Sequence, residues 1–194
     1  MIQNKMNSKQ IKQRLQDIAQ SHPYIVHSHL KKGDTVKKSA GLKYEIDDVN
    51  IHKKLGNFEN GVVPYTRIYH ALLPSQSKIN GIFNGSEQIS FSRAMNAGIG
   101  ECLEKSILVQ LAAQGGRDSF LINGLVSEDH HFGIGYHAYN IVFKNENPFL
   151  VDAQNPRYID GQRCEPFIVP VTAIEGEFIL LPDELRLNRQ YMLA

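Results

Sequence analysis

There is no tryptophan in the 194 residues, there are only two cysteines, and no apolar run is long enough to cross a bilayer. A membrane-spanning helix needs about 20 apolar residues in succession, and Phe178-Ile179-Leu180-Leu181 is typical of what the chain offers, so no membrane span is expected. Two cysteines are too sparse for a disulfide framework and read as free thiols of a reducing compartment. Excess charge is missing as well: 21 basic residues face 20 acidic ones, so bulk charge points neither to nucleic acid nor to an anionic membrane. The polar start Met1-Ile2-Gln3-Asn4-Lys5 lacks the apolar core of a signal peptide, so classical secretion is not expected.

What is present suits one globular unit. With 42% hydrophobic and 21% charged residues, a chain of this length can bury a full core without metal or disulfide. Residues 1–194 read as a single catalytic domain, with a helical and irregular N-terminal portion over 1–85 and the catalytic core over 90–194.

Ser8 is placed to cap a helix whose apolar face is Ile11, Leu15, Ile18 and Ala19, with Pro23 beyond its end. The segment Tyr24–Leu30 reads as a strand and Lys31–Lys38 as a solvated basic loop. His27, His29, His52 and His70 show no ligand spacing beyond one i, i+2 pair and read as surface or core histidines. From Asn57 to Gly85, Gly61, Pro64, Pro74, Gly81 and Gly85 interrupt short apolar pieces, which predicts irregular structure with short strands. Gly98 and Gly100 then permit a tight turn, and Ile107, Leu108, Leu111 and Ala112 form a buried helical stripe that Gly115-Gly116 ends. A strand pattern over Phe120–Val126 precedes the glycine-flanked loop Ser127–Gly135. Next come a hairpin made of Tyr136–Phe143 and Phe149–Asp152, and further strands at Phe167–Val169 and Glu177–Leu181.

Chemistry gathers at Cys102, at or near the start of the central helix, where unpaired amides and the helix dipole stabilise an anion. A thiolate there is a competent nucleophile, although a lone cysteine is more often a small apolar residue against the core. The hairpin tips the balance. A turn centred between Lys144 and Asn145 sets His137 directly opposite Asp152, close enough for the carboxylate to hold one ring nitrogen. The other nitrogen is then free to take the proton of Cys102 and deliver it to a leaving group. An oxyanion would need the Cys102 backbone N–H and a second donor, for which Asn96 and Gln154 are candidates. Adjacent His130 and His131 point different ways in extended chain, and no Cys-x-x-Cys or His-x-x-x-His pattern supports them, so neither metal nor cofactor is expected. Cys164 lies in the turn-like Gly161–Pro166 without an obvious base and reads as a spectator, or as a partner for a regulatory disulfide with Cys102.

In this order, Gly-Ile-Gly-Glu-Cys-Leu-Glu, His-Ala-Tyr-Asn-Ile-Val and Leu-Val-Asp-Ala-Gln-Asn-Pro resemble the papain-fold and transglutaminase-like cysteine enzymes. The likeness is strongest to the papain-like toxin domains that deamidate glutamine, including the deamidase module of the Pasteurella toxin and related injected bacterial effectors. Those domains carry a cysteine at a helix start, a histidine within a His-x-x-Asn-like segment and an aspartate within an Asp-x-Gln-like segment. Here the matching residues are Cys102, His137 with Asn140, and Asp152 with Gln154. The resemblance covers about residues 90–160. It implies an α+β fold with the catalytic helix packed on an antiparallel sheet, and a cofactor-free deamidase. It further implies a protein substrate in the cytoplasm of a host or rival cell, and it favours Gln154 for the oxyanion. A cysteine protease or a transglutaminase with the same triad stays open, as does a noncatalytic interaction module. Where transglutaminases often carry tryptophan after the cysteine or histidine, this chain has Leu103 and Tyr139.

Overall fold

A computed structural model of the chain describes residues 6–38, 41–55, 68, 71–73, 75–128, 134–155, 157–159, 162–164, 167–182 and 189–193. It is a mixed α+β structure built on one large sheet. Helix α1 (Ser8–Ser21) leads into β1 (Val26–His27), β2 (Thr35–Lys37), β3 (Lys43–Glu45) and a 3₁₀ turn at Ile51–Leu55. Helix α2 (Gln76–Phe83), strand β4 (Gln88–Ser90), helix α3 (Phe91–Ala97) and helix α4 (Cys102–Ala113) follow. The strands β5 (Ser119–Glu128), β6 (Ile134–Lys144) and β7 (Asn147–Asp152) come next, then the pair β8 (Arg157–Ile159) and β9 (Gln162–Cys164). The chain closes with β10 (Phe167–Pro170), β11 (Ala173–Glu175), β12 (Phe178–Leu180) and β13 (Arg189–Met192).

The large sheet runs β10-β7-β6-β5-β13-β12-β11 with antiparallel pairing throughout, and β1 adds antiparallel to β5. Because side chains alternate along a strand, the sheet has two apolar faces. Leu121, Ala138, Val142 and Val151 point into a core shared with Ile107 and Leu108 of α4 and with Val36 and Tyr44 of the small sheet β2-β3-β4. Phe120, Ile122, Tyr139, Ile141 and Leu150 point the other way, against Ile11 and Leu15 of α1 and Tyr191 of β13.

Lying between the large sheet and the small one, α4 is buried nearly all round, including Glu104, Lys105, Ser106 and Gln110. The apolar stripe therefore marks only part of its contact surface. The polar members fasten it instead. Gln110 Nε2 donates to the carbonyls of Ser28 and Ser119 at 3.2 Å, and the Gln114 amide bridges N and O of Leu30. Asn140 Nδ2 donates to the Ser106 carbonyl at 3.1 Å. Ahead of α4, Gly100 is required by crowding: a Cβ there would stand 2.6 Å from Leu72 Cδ1 and 2.7 Å from Glu104 Cβ.

Several local expectations change. The α1 cap is Asn7, whose side chain accepts from Gln10 N in a reciprocal capping box, so Ser8 is already helical. The strand expected over Tyr24–Leu30 shrinks to Val26–His27. The basic stretch Lys31–Lys38 is not wholly a solvated loop, because Thr35–Lys37 form β2 and Lys38 is buried. Residues 76–83, expected to be irregular, form α2, where Ile79 and Phe83 on one helical face supply the burial. Ser127, Glu128, Ile134 and Gly135 extend β5 and β6 rather than forming a loop; His130 and His131 lie outside the described residues, as do His70, Gly61, Pro64 and Pro74.

The hairpin register also differs. Lys144 pairs with Asn147, which centres the turn between Asn145 and Glu146, both at positive φ (50° and 64°), as a two-residue hairpin turn of the strand-twist-matching hand requires. His137 is thus not directly opposite Asp152. Moving the centre by one residue shifts every pairing by two, and a shift of two keeps side chains on their original face.

Candidate functional site

Asp152 is the last residue of β7, and its own side chain turns the chain off the sheet: Oδ1 accepts from the backbone N–H of Gln154 and of Asn155 at 3.0 Å. Its other oxygen, Oδ2, accepts from His137 Nε2 at 2.7 Å, Tyr191 OH at 2.7 Å and Asn155 Nδ2 at 3.1 Å. Five donors thus converge on a carboxylate with no solvent exposure. Burial pushes the Asp152 pKa up, but the His137 charge, its hydrogen bond and those from Asn155 and Tyr191 outweigh it and hold the carboxyl at about 2.

Carried one step past Asn140↔Val151, the β6–β7 register sets Asp152 opposite Tyr139, with His137 the next residue on that face. This diagonal relation is within reach of an imidazole. The ring is stacked on Tyr139 with centroids 6.2 Å apart and lies equally near Tyr191, so its orientation is set by packing as well as by the carboxylate. Burial lowers the His137 pKa; the Asp152 charge and hydrogen bond, with a further interaction in which the ring N–H donates to the Cys102 sulfur, more than reverse this and raise it to about 10. At neutral pH the ring is an imidazolium.

Cys102 opens α4, half-buried and with a free thiol. It belongs to the α4 layer, whereas His137 and Asp152 share a face with Tyr139 and Tyr191 on the other side of the sheet. Thiol and ring meet where the β6–β7 ladder has ended. With Nε2 committed to Asp152, Nδ1 is the nitrogen left for the thiol.

Beneath the cysteine lies a second buried charge cluster. Glu104 Oε1 accepts from Lys38 Nζ at 2.7 Å and from Tyr44 OH at 2.5 Å, while Oε2 accepts from the Glu101 N–H at 2.8 Å. Burial raises the Glu104 pKa, and the Lys38 charge with these hydrogen bonds overcomes it, leaving the carboxyl below its ordinary value. The cluster ties the first turn of α4 to β3 and to the end of β2.

Of the sequence candidates, Cys102, His137 and Asp152 come together. Gln154 is adjacent: its backbone N–H serves Asp152, and its side-chain Oε1 is buried with no partner among the described residues. Asn96 is exposed on α3 and accepts from Lys54 Nζ at 3.2 Å. Asn140 faces α4 rather than the histidine, an odd spacing along the strand placing it on the opposite face. Two members escape a sequence reading. Asn155 had a local signal, since Asp-x-x-Asn suits a side chain folding back on a turn. Tyr191 had none, because nothing local links the C-terminal strand to β7.

Among the described residues no group of three or more His, Cys, Asp or Glu is arranged to hold a metal ion, and no helix is long and apolar enough to cross a membrane. No family model, no curated protein and no solved structure matches the chain.

Proposed function

We propose that the chain is a thiol-dependent protein glutamine deamidase that converts a glutamine of a partner protein to glutamate. The observation that carries this reading is the buried His137–Asp152 pair with the Cys102 thiol on the same imidazole. A nucleophile, a proton carrier and a group that orients the carrier are the parts thiol acyl transfer requires. The choice of a side-chain carboxamide as acyl donor rests on the resemblance of the Cys102, His137 and Asp152 segments to glutamine-deamidating toxin domains, and so does action inside a target cell.

In this mechanism imidazolium His137 faces the Cys102 sulfur. The sulfur attacks the carboxamide carbon, Nδ1 gives its proton to the departing nitrogen, and ammonia leaves a thioester. The now neutral ring takes a proton from water, whose oxygen attacks the thioester; the C–S bond breaks and the acid and the thiol–imidazole pair are restored. Asp152, held by five donors, keeps its charge and its place throughout. The backbone N–H at the start of α4 and the dipole of that helix face the developing oxyanion.

Intact-mass analysis of lysate proteins exposed to wild type and to Cys102→Ser tests the reading. Deamidation adds about one dalton, transamidation adds a whole amine, and proteolysis yields fragments; Cys102→Ser abolishes whichever is catalysed. A target gaining one dalton with both proteins refutes the nucleophile.

A further inference from the structure

Among the described residues, the most exposed apolar side chains on the large sheet lie on the strand that carries His137. Tyr136 is 80% and Ile134 64% exposed, and both precede His137 on β6. Their exposure follows from where α4 begins. Asn140 lies under Ser106 and Ser119, the partner of Val142, lies under Gln110, so α4 runs parallel to β6. Going from Asn140 back toward Ile134 therefore leads past the helix start at Cys102. Beyond it the helix covers nothing, and Ile134 and Tyr136, on the same face as Ala138, are left bare.

The strand edge is open at the same place. The ladder between β6 and β7 covers Asn140–Lys144 only, because Asp152 pulls the chain into its turn. Among the described residues nothing pairs with β6 over Ile134–Ala138 on that side, while β5 pairs with it continuously on the other. Hydrogen-bonding direction alternates along a strand. The Phe143 N–H donates to Asp118 O on the β5 side, so Val142, Asn140, Ala138, Tyr136 and Ile134 direct their N–H and C=O the other way. Among the described residues, those groups of Ile134, Tyr136 and Ala138 meet no strand. A long apolar edge without lysine, proline or bulge invites pairing and is ordinarily blunted.

We infer that this edge is the docking site for the substrate: an extended segment of the target protein adds to β6 along Ile134–Ala138, with apolar residues flanking the glutamine against Ile134 and Tyr136. The inference rests on the deamidase reading and names how the target is held. Unpaired main-chain donors and acceptors in strand register select an extended polypeptide backbone rather than a small amide. Position does the rest, since the edge ends at His137 and the glutamine side chain is delivered to Cys102.

The test uses a short peptide with apolar residues flanking a diazoketone analogue of glutamine. Its diazo carbon is protonated and then attacked by the Cys102 sulfur, releasing dinitrogen and leaving a thioether. Alkylation rates are divided by those with iodoacetamide, which reads the thiol and ring alone. Tyr136→Pro removes one edge N–H that no described residue accepts, and the rate ratio is expected to fall roughly five- to tenfold, the size of one or two lost main-chain hydrogen bonds. Should that variant fail to fold, wild type is tested with peptides N-methylated at alternate residues; one phase reacts more slowly and the other as the parent. Equal rates for both phases and the parent overturn strand addition while leaving the deamidase reading standing. Wild type that reacts with iodoacetamide but not with the diazoketone peptide overturns the glutamine reading and this inference with it. A dimer in sedimentation velocity that Tyr136→Pro dissolves assigns the edge to a second copy of the chain and overturns the inference.

Discussion

Tyr191 donates its phenolic proton to Asp152 Oδ2 at 2.7 Å, the same oxygen, at the same distance, that holds His137. The C-terminal strand thereby becomes part of the site. Burial and the Asp152 charge both raise the Tyr191 pKa, so the phenol keeps its proton and stays a donor.

Tyr191→Phe keeps the ring packing against Tyr139 and removes only this donor. A hydrogen bond to a charged group contributes about 1.5–3 kcal/mol, and a loss of that size is expected in urea unfolding. Cys102 alkylation slows less than in His137→Ala, because His137 and Asn155 still hold the carboxylate. A Tyr191→Phe protein as stable as wild type removes this bond from the account.

The charged pair gives stability a pH signature. His137 is raised from 6.5 to about 10, so its contribution is complete below 6.5 and is lost as pH rises through 10. Asp152 is lowered from 3.8 to about 2, so its contribution is complete above 3.8 and is lost as pH falls through 2. The pair therefore stabilises most between those ordinary values. In Asp152→Asn the alkaline decline of the melting temperature is expected to flatten. Parallel wild-type and variant profiles from about pH 6 to 10 would contradict the pairing.

Glu104→Gln strands the Lys38 ammonium, which is 8% exposed, without its counter-charge. Breaking one side of a buried ion pair costs about 3–5 kcal/mol, whereas replacing both partners costs less. The double variant Lys38→Met with Glu104→Gln is expected to regain part of the loss in denaturant unfolding. If the losses simply add, the two residues do not form the pair described.

Gly124→Ala tests the seat of Tyr191. A Cβ at Gly124 would stand 2.2 Å from the Met192 carbonyl oxygen, a backbone atom that moves only with β13. Overpacking of this kind costs about 1–3 kcal/mol. The displaced strand carries Tyr191 away from Asp152, so slower Cys102 alkylation is expected alongside lower stability. Unchanged alkylation would uncouple β13 from the site.

Much of this arrangement was legible because it is local. The helix after Gly98 and Gly100, its end at Gly115-Gly116 and the hairpin between Tyr136 and Asp152 all follow from short-range pattern. The pairing of His137 with Asp152 survived a misplaced turn because the error in register was even. Lys38 was misread for the opposite reason: a lysine in a basic run resembles solvated surface until a buried carboxylate from α4, far along the chain, reaches it. Glu104 and Gln110 were hidden likewise, since a polar residue on a helix reads as exposed when no sequence signal announces a second layer.

The sequence by itself determined a cysteine at a helix start and a histidine and an aspartate on one face of a hairpin, because helix caps and strand alternation are set by neighbouring residues. Only the tertiary structure decided that Tyr191 completes the carboxylate's partners, that Lys38 is buried under the helix start, and that among the described residues no strand pairs with the β7-facing edge of β6 beside His137. Each depends on which distant segments pack together, and that is settled by the burial and pairing of the whole chain.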